Sequence, residues 1–396
     1  MIRKPLMNLF YRICGIGFFF WLAYDFSRFP VIPLLATEMG VPPEQVGLVV
    51  AAGTITGIFG KFITGNLSDI LGRRFMMILG CLVALIMPLT YLFFVQGAVS
   101  LFIVRMIHGL GTAIMGPVTR AAASDVIEPT WRGAKLGTYS SATKLGTAAG
   151  RWLGGVLLFW GGFQFPFIAS SLAALVALFI AITWPRHKDG TKDLKKKRLL
   201  PEIIQGFREV GSNRLILLAS VVEALQFFAQ GLMEAFLPLY AKLVVGLNNW
   251  EIGMLYGLQM GATIVSKPFM GYMSDRAGRR PQIILGFLVG ASVFWLFPRT
   301  DSLLILSVLS IVYGIGFAIN TSATLAYVTD LCNDRRYGAA HGVFGTIFDI
   351  GHALGPILGG LLVGALDYPF TFLIVSGVLL VAMALFAFFS SRWTIA

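Results

Sequence analysis

The sequence predicts an all-α integral membrane protein with twelve transmembrane helices, arranged as two pseudo-symmetric six-helix bundles. Three observations lead there. Of the 396 residues, 57% are hydrophobic and 13% charged, and the mean hydropathy is +0.79, which is too apolar for a water-soluble globular chain. The apolar residues gather into about twelve runs, each long enough for a hydrocarbon core of ~30 Å. Finally, the basic turn Gly65-Asn66-Leu67-Ser68-Asp69-Ile70-Leu71-Gly72-Arg73-Arg74 returns as Gly271-Tyr272-Met273-Ser274-Asp275-Arg276-Ala277-Gly278-Arg279-Arg280.

In chain order the runs fall at 10–37, 43–66, 75–94, 99–123, 136–160, 164–184, 213–243, 250–272, 281–297, 302–328, 340–364 and 369–390. The stretch Met1–Phe10 leads into the first run without a small-residue cleavage site, so it reads as retained. Basic residues collect in alternate loops: Arg3 and Lys4, Arg73 and Arg74, Arg132 and Lys135, Lys195 to Arg198, Arg276 to Arg280, Arg335 and Arg336, and Arg392. An even number of spans with positive charge on that side places both termini in the cytoplasm of an inner cell membrane. The formal net charge of +12 is therefore a topology signal, and no basic domain stands free to bind nucleic acid. Tryptophans near run ends, Trp131, Trp160, Trp184, Trp250 and Trp393, read as interface anchors.

The hydrophilic stretch 185–212 separates an N-terminal bundle, 1–184, from a C-terminal bundle, 213–396. An offset of about 206 sets Gly47 on Gly253, Lys61 on Lys267 and Asp69 on Asp275; about 205 sets Gly109 on Gly314, Asp125 on Asp330 and Gly146 on Gly351. Two equivalent bundles can rock about a site at the bilayer midplane, which gives alternating access. A channel or a membrane enzyme has no need of such a repeat. No HExxH, GxSxG or GxxxxGK[ST] motif occurs, and the three cysteines form no CxxC or Cys/His cluster. No enzyme activity, ATP coupling, cofactor, disulfide or metal framework is expected.

Over nearly its whole length the chain resembles the major facilitator superfamily. The turn Gly65-x-Leu67-x-Asp69-x-x-Gly72-Arg73-Arg74 is similar to that family's signature between helices two and three, with Ile70 where a basic residue is usual. Arg105-x-x-His108-Gly109-x-Gly111 resembles the helix-four signature of proton-coupled members. Gly146-x-x-x-Gly150-Arg151-x-x-Gly154-Gly155 resembles the antiporter signature, with Arg151 in place of its proline. The intact form, Gly351-x-x-x-Gly355-Pro356-x-x-Gly359-Gly360, stands on helix eleven. The resemblance implies a monomeric transporter whose partners are a small-molecule substrate, protons and the lipid bilayer. It also implies a cytoplasmic gate formed by Lys61, Gly65, Asp69, Arg73, Asp125, Arg132, Gly271, Asp275, Arg279 and Asp330.

An ionisable group in mid-membrane costs roughly 2.5–3.5 kcal/mol on insertion scales, so the many that this chain carries must face one another or a cavity. Asp25 and Arg28 share a face of the first run, Arg105 and His108 one of the fourth, and Lys144 and Arg151 lie on the fifth. Glu223, Gln226, Gln230 and Glu234 form one polar stripe on the seventh run, and Asp349 and His352 lie on the eleventh. The resemblance places the first, fourth, seventh and tenth helices around the central cavity, making the first half mostly basic and the second mostly acidic. Asp25 either pairs with Arg28 or Arg105 or carries a proton. Glu223 and Glu234, with no obvious cationic neighbour on their own helix, are the better proton-coupling candidates; His108 and His352 either relay protons or pack. Lys61 and Asp349 either bridge the halves on the cytoplasmic side or lie apart, with Lys61 snorkelling. The functional expectation is proton-coupled export of a small organic solute, with proton-coupled uptake or exchange of an organic anion as the alternative.

Overall fold

The computed structural model describes residues 4–127, 132–185, 214–331 and 337–392. The linker residues 186–213, Trp131, Arg335, Arg336 and Trp393 lie outside them, as does the side chain of Arg132. The first run is α1 (Lys4–Phe26) and α2 (Val31–Glu38). The rest are single helices: α3 (Pro43–Leu71), α4 (Arg73–Phe93), α5 (Ala98–Asp125), α6 (Arg132–Gly161), α7 (Gln164–Ile182), α8 (Arg214–Leu243), α9 (Asn249–Ala277), α10 (Arg279–Leu296), α11 (Leu303–Leu331), α12 (Tyr337–Ala365) and α13 (Tyr368–Arg392). A 3₁₀ turn, Phe297–Arg299, follows α10. Among the described residues there is no β-strand.

The first run is not one continuous helix. It breaks over 27–30, because Pro30 has no N–H to give the Phe26 carbonyl and its ring crowds the preceding turn. Elsewhere the apolar runs and the helices agree to within a few residues. Nine of the described segments are long and apolar enough to cross a membrane by themselves, and α3 makes a tenth if its two bent parts count as one. The remaining two, α6 and α9, are diluted by Lys144 and Arg151 and by Gln259 and Lys267 respectively.

The chain forms two compact units, Met1–Gly190 with Pro238–Gly257, and Thr191–Leu237 with Leu258–Ala396. In the first, Phe10, Ile13, Ile16, Phe20, Met76, Met77, Met115 and Ala177 form the buried core. There α1 packs on α6 and α7, and α3 and α4 on α5. In the second, α10 packs on α11 and α13, and Ile216, Ala219, Val328, Val343 and Phe344 form a core between α8, α11 and α12.

Glycines let two helix pairs meet backbone to backbone. A Cβ on Gly146, Gly150 or Gly154 would lie 2.3, 2.7 or 2.8 Å from the carbonyl oxygens of Phe18, Leu22 and Phe26 on α1. On α12, a Cβ on Gly351 or Gly355 would lie 2.1 or 2.2 Å from those of Ala224 and Phe228 on α8. This is the close approach that small residues four apart allow in lipid, where packing rather than hydrophobicity joins helices.

Candidate functional site

Both copies of the basic turn fold alike. Gly72 and Gly278 stand between consecutive helices at φ 85° and 89°, a left-handed conformation that a side chain would strain. The turn delivers Arg73 to the start of α4, where its guanidinium bonds Asp69 Oδ1 at 2.6 Å, Asp125 Oδ2 at 3.2 Å and the Ser68 hydroxyl. Arg279 does the same at the start of α10, bonding Asp330 Oδ2 at 2.9 Å, Ser274 Oγ at 3.1 Å, and Asp275. Each arginine thus ties three helices at one end of its unit. The carboxylates stay exposed, so these bonds contribute little to stability. Gly65 lies against Pro117 at ordinary contact distance, and Gly271 faces open space.

At mid-membrane in the first unit, Asp25 pairs with Arg151, Oδ1 to Nε 3.1 Å. Of the pairings left open for Asp25, the one with Arg105 is not formed. Arg105, 1% exposed, donates from Nη2 to the Tyr24 hydroxyl at 2.9 Å and lies beside that ring, 5.1 Å from its centroid. Arg28 lies over Phe29 at 4.5 Å, and Arg151 approaches the same ring at 5.3 Å. His108 is buried between Tyr24 and Tyr91, its Nδ1 3.3 Å from the Tyr91 hydroxyl. One of the three guanidiniums, that of Arg151, meets the Asp25 carboxylate, and the other two lie against the Tyr24 and Phe29 rings.

In the second unit the stripe on α8 reads as expected: Glu223, Gln226, Gln230 and Glu234 are all buried. Their partners come from other helices. His352 Nε2 on α12 lies 3.0 Å from Glu234 Oε2, and Gln230 Nε2 donates to Glu234 Oε1 at 2.9 Å. Gln259 Nε2 on α9 donates to Gln230 Oε1 at 3.1 Å. Lower on the stripe, Asn320 Nδ2 donates to Gln226 Oε1 at 3.2 Å, and Thr324 Oγ1 to Asn320 Oδ1 at 2.8 Å. Glu223 lies within electrostatic reach of Lys267. The glutamates thus find basic neighbours across helices.

Lys61 and Lys144 are exposed, and Asp349 is half-buried on α12. Tyr24, Tyr91, Gln259, Lys267, Asn320 and Thr324 complete the two polar groups. Of these, only Lys267 had a signal in the sequence, as the counterpart of Lys61 in the repeat. Among the described residues no three His, Cys, Asp or Glu side chains could hold a metal ion.

Comparison with known proteins agrees with this layout. A family model described as Major Facilitator Superfamily matches residues 13–262 and 249–392. An uncharacterised MFS-type transporter of Methanocaldococcus jannaschii is 25% identical over 362 residues, covering 90% of this chain and 89% of that protein. Multidrug resistance protein 1 of Bacillus subtilis is 25% identical over 376 residues, 93% of this chain and 91% of its own. Among solved structures, a bacterial homologue of the human lysosomal transporter Spinster, inward-facing and unoccupied, superimposes with a TM-score of 0.81 at 18% identity over 100% of both chains. With a family match spanning both halves of the repeat, and with the helices and basic turns laid out as described, this multi-pass membrane chain belongs to the Major Facilitator Superfamily, a family of transporters rather than enzymes.

Proposed function

We propose that the chain is a secondary active transporter that exports a small organic solute across the inner cell membrane in exchange for protons, by alternating access. It works as a monomer with both termini in the cytoplasm. The observation that carries this reading is the buried Glu234, set against His352 in the middle of a spanning helix. A carboxylate there is costly enough that a functional role is the default reading. Carboxylate and imidazole share one contact, so a proton can be held at that contact and released from it. Gln230, itself held by Gln259, fixes the other carboxylate oxygen, and Glu223 supplies a second acidic site three turns away.

The energy is sufficient. One charge falling through 100 mV yields ~2.3 kcal/mol, enough for a gradient of roughly fiftyfold. The Arg73 and Arg279 clusters, with Arg132, form the cytoplasmic latch. A salt bridge between Lys61 and Asp349 would add to it when that side is closed. The glycine contacts give α6 and α12 smooth faces to move along.

A second reading, proton-coupled uptake or exchange of an organic anion, is favoured by the guanidiniums of Arg28, Arg105 and Arg151 in the first unit, set against the rings of Tyr24 and Phe29. Proteoliposomes loaded with a pH dye and challenged with lipophilic cations and organic anions test both. If a cation drives proton release in the wild type but not in Glu223→Gln or Glu234→Gln, export by proton exchange stands. If only anions move, with protons alongside, the export reading is lost.

A further inference from the structure

The flank of the first unit carries a groove that neither the polar groups nor the latch uses. Near the start of the first run, Asn8, Tyr11, Arg12 and Gly15 share one face of α1, being three and four residues apart. Where this face meets the end of α7 it leaves an open groove of about 380 Å³, lined by Tyr11, Arg12, Gly15, Phe179, Ile180 and Thr183. Tyr11 and Phe179 are 63% and 71% exposed, so nothing among the described residues covers the groove. Arg12 and Asp25 are thirteen residues apart on α1, about 20 Å of helix, which keeps the groove well away from the central charges.

Helix packing does not account for its shape. A Cβ on Gly15 would have only the Ile180 Cδ1 atom near it, at an ordinary 3.5 Å, whereas one on Gly17 would lie 2.9 Å from Thr143 Cγ2. Gly17 is needed for close approach; Gly15 is not. The side chain missing at Gly15 leaves the trough open. Arg12 Nη1 donates to the Thr183 carbonyl at 3.2 Å, which caps the end of α7. Among the described residues that is its one hydrogen bond, and a guanidinium has five N–H donors.

Depth decides what the remaining donors meet. The apolar span of α7 ends at Ile182, so Thr183 and the Arg12 guanidinium beside it lie where hydrocarbon gives way to headgroups. Gly15 on α1 and Phe179 on α7 each lie one turn deeper, below the charge. A guanidinium fork matches the oxygens of a phosphate, and an apolar trough beneath it takes an acyl chain. A free anion would use the arginine and leave the trough empty; a neutral apolar molecule would do the reverse. A zwitterionic lipid brings a cation of its own, which Arg12 repels.

We propose that this groove holds one anionic phospholipid, its phosphate on the Arg12 guanidinium and an acyl chain along Gly15, Phe179 and Ile180. The site belongs to the first unit alone. Gly150 meets the Leu22 carbonyl where Gly355 meets that of Phe228, and in that register Leu217, Leu218 and Val221 stand where the first repeat has Tyr11, Arg12 and Gly15. The second repeat has neither the cation nor the gap, so the shared mechanical parts do not require the lipid. The proposal is independent of what the chain carries and in which direction.

Native mass spectrometry of the purified full chain in detergent, titrated with phosphatidylglycerol or with phosphatidylcholine of the same acyl chains, tests it. The wild type is expected to retain one phosphatidylglycerol saturably and to prefer it over phosphatidylcholine. Arg12→Gln weakens that retention about fivefold, the order of one cation at an anionic surface, and Arg12→Lys restores most of it. Gly15→Phe, which fills the trough, removes it. Monodisperse elution of each variant separates lost binding from lost folding, and Gly15→Leu serves if Gly15→Phe does not elute as a single species. Equal retention of the two lipids overturns the proposal, as does retention that only one of Arg12→Gln and Gly15→Phe lowers, or neither. Displacement of phosphatidylglycerol by millimolar inorganic phosphate overturns it too, since the groove would then be a bare anion site.

Discussion

Arg73 holds Ser68, Asp69 and Asp125 at the end of one unit, and Arg279 holds Ser274, Asp275 and Asp330 at the end of the other. Halfway along the helices the two repeats part. The glycine contacts fix the register, since Gly150 meets the Leu22 carbonyl where Gly355 meets that of Phe228. In that register Arg28 stands where the second repeat has Glu234. By the same comparison Asp25 answers to Gly231, Arg151 to Pro356, Arg105 to Ser310 and His108 to Tyr313. What the repeats share is the mechanical part, the turn and the sliding faces. What they do not share is the chemistry, basic in one unit and acidic in the other.

Substitutions made in pairs, one in each repeat, can break or sharpen that contrast. The largest effect is expected at Asp25. Asp25→Ala leaves Arg151 buried without its carboxylate and should cost about 3–5 kcal/mol, read as a lower melting temperature in detergent. The second repeat manages with Gly231 and Pro356, so Asp25→Leu combined with Arg151→Met should recover most of that loss. A double variant as unstable as the single one would mean that the pair does more than neutralise itself.

Next come the residues of opposite charge. Glu234→Gln should lower solute-driven proton flux by roughly a hundredfold or more, the scale of losing a proton-transfer group, whereas Arg28→Gln should change substrate preference and spare proton coupling. Equal loss of coupling in both would erase the division between the units. Smaller and symmetrical effects are expected from Gly146→Ala and Gly351→Ala, each about 1–3 kcal/mol because the added carbon meets a carbonyl oxygen. Gly377→Ala, with nothing within 4 Å, should be neutral or slightly stabilising. Smallest in stability are Arg73→Gln and Arg279→Gln, each under about 1 kcal/mol as expected of exposed ion pairs. Both should slow transport to the same degree, and a large difference between them would show that the shared turn does not serve both units alike. Exchanging Lys61 and Asp349 should preserve transport; an inactive exchange beside active single neutralisations would exclude their pairing.

The helices and both turns were legible because hydropathy and glycine placement are local properties. The break over 27–30 was not, although Pro30 and Pro33 were in plain view, since apolar residues continue across it and hydropathy alone reads straight through. Pairings between helices were harder still. Asp25 and Arg151 are 126 residues apart, and which residues meet depends on how α1 and α6 rotate about their glycine contacts. The stripe on α8 could be read from its spacing alone. Gln259, Asn320 and Thr324, which complete it, are single polar residues in apolar helices and have no pattern of their own.

The polarity of α6 and α9 bears on how the chain is made. A helix too polar to enter lipid alone needs a neighbour already in the membrane to accept its buried groups. Arg151 on α6 is met by Asp25 on α1, and Gln259 on α9 by Gln230 on α8. In both cases the accepting helix leaves the ribosome first. The order of synthesis therefore places each solvating partner in the bilayer before the segment that depends on it.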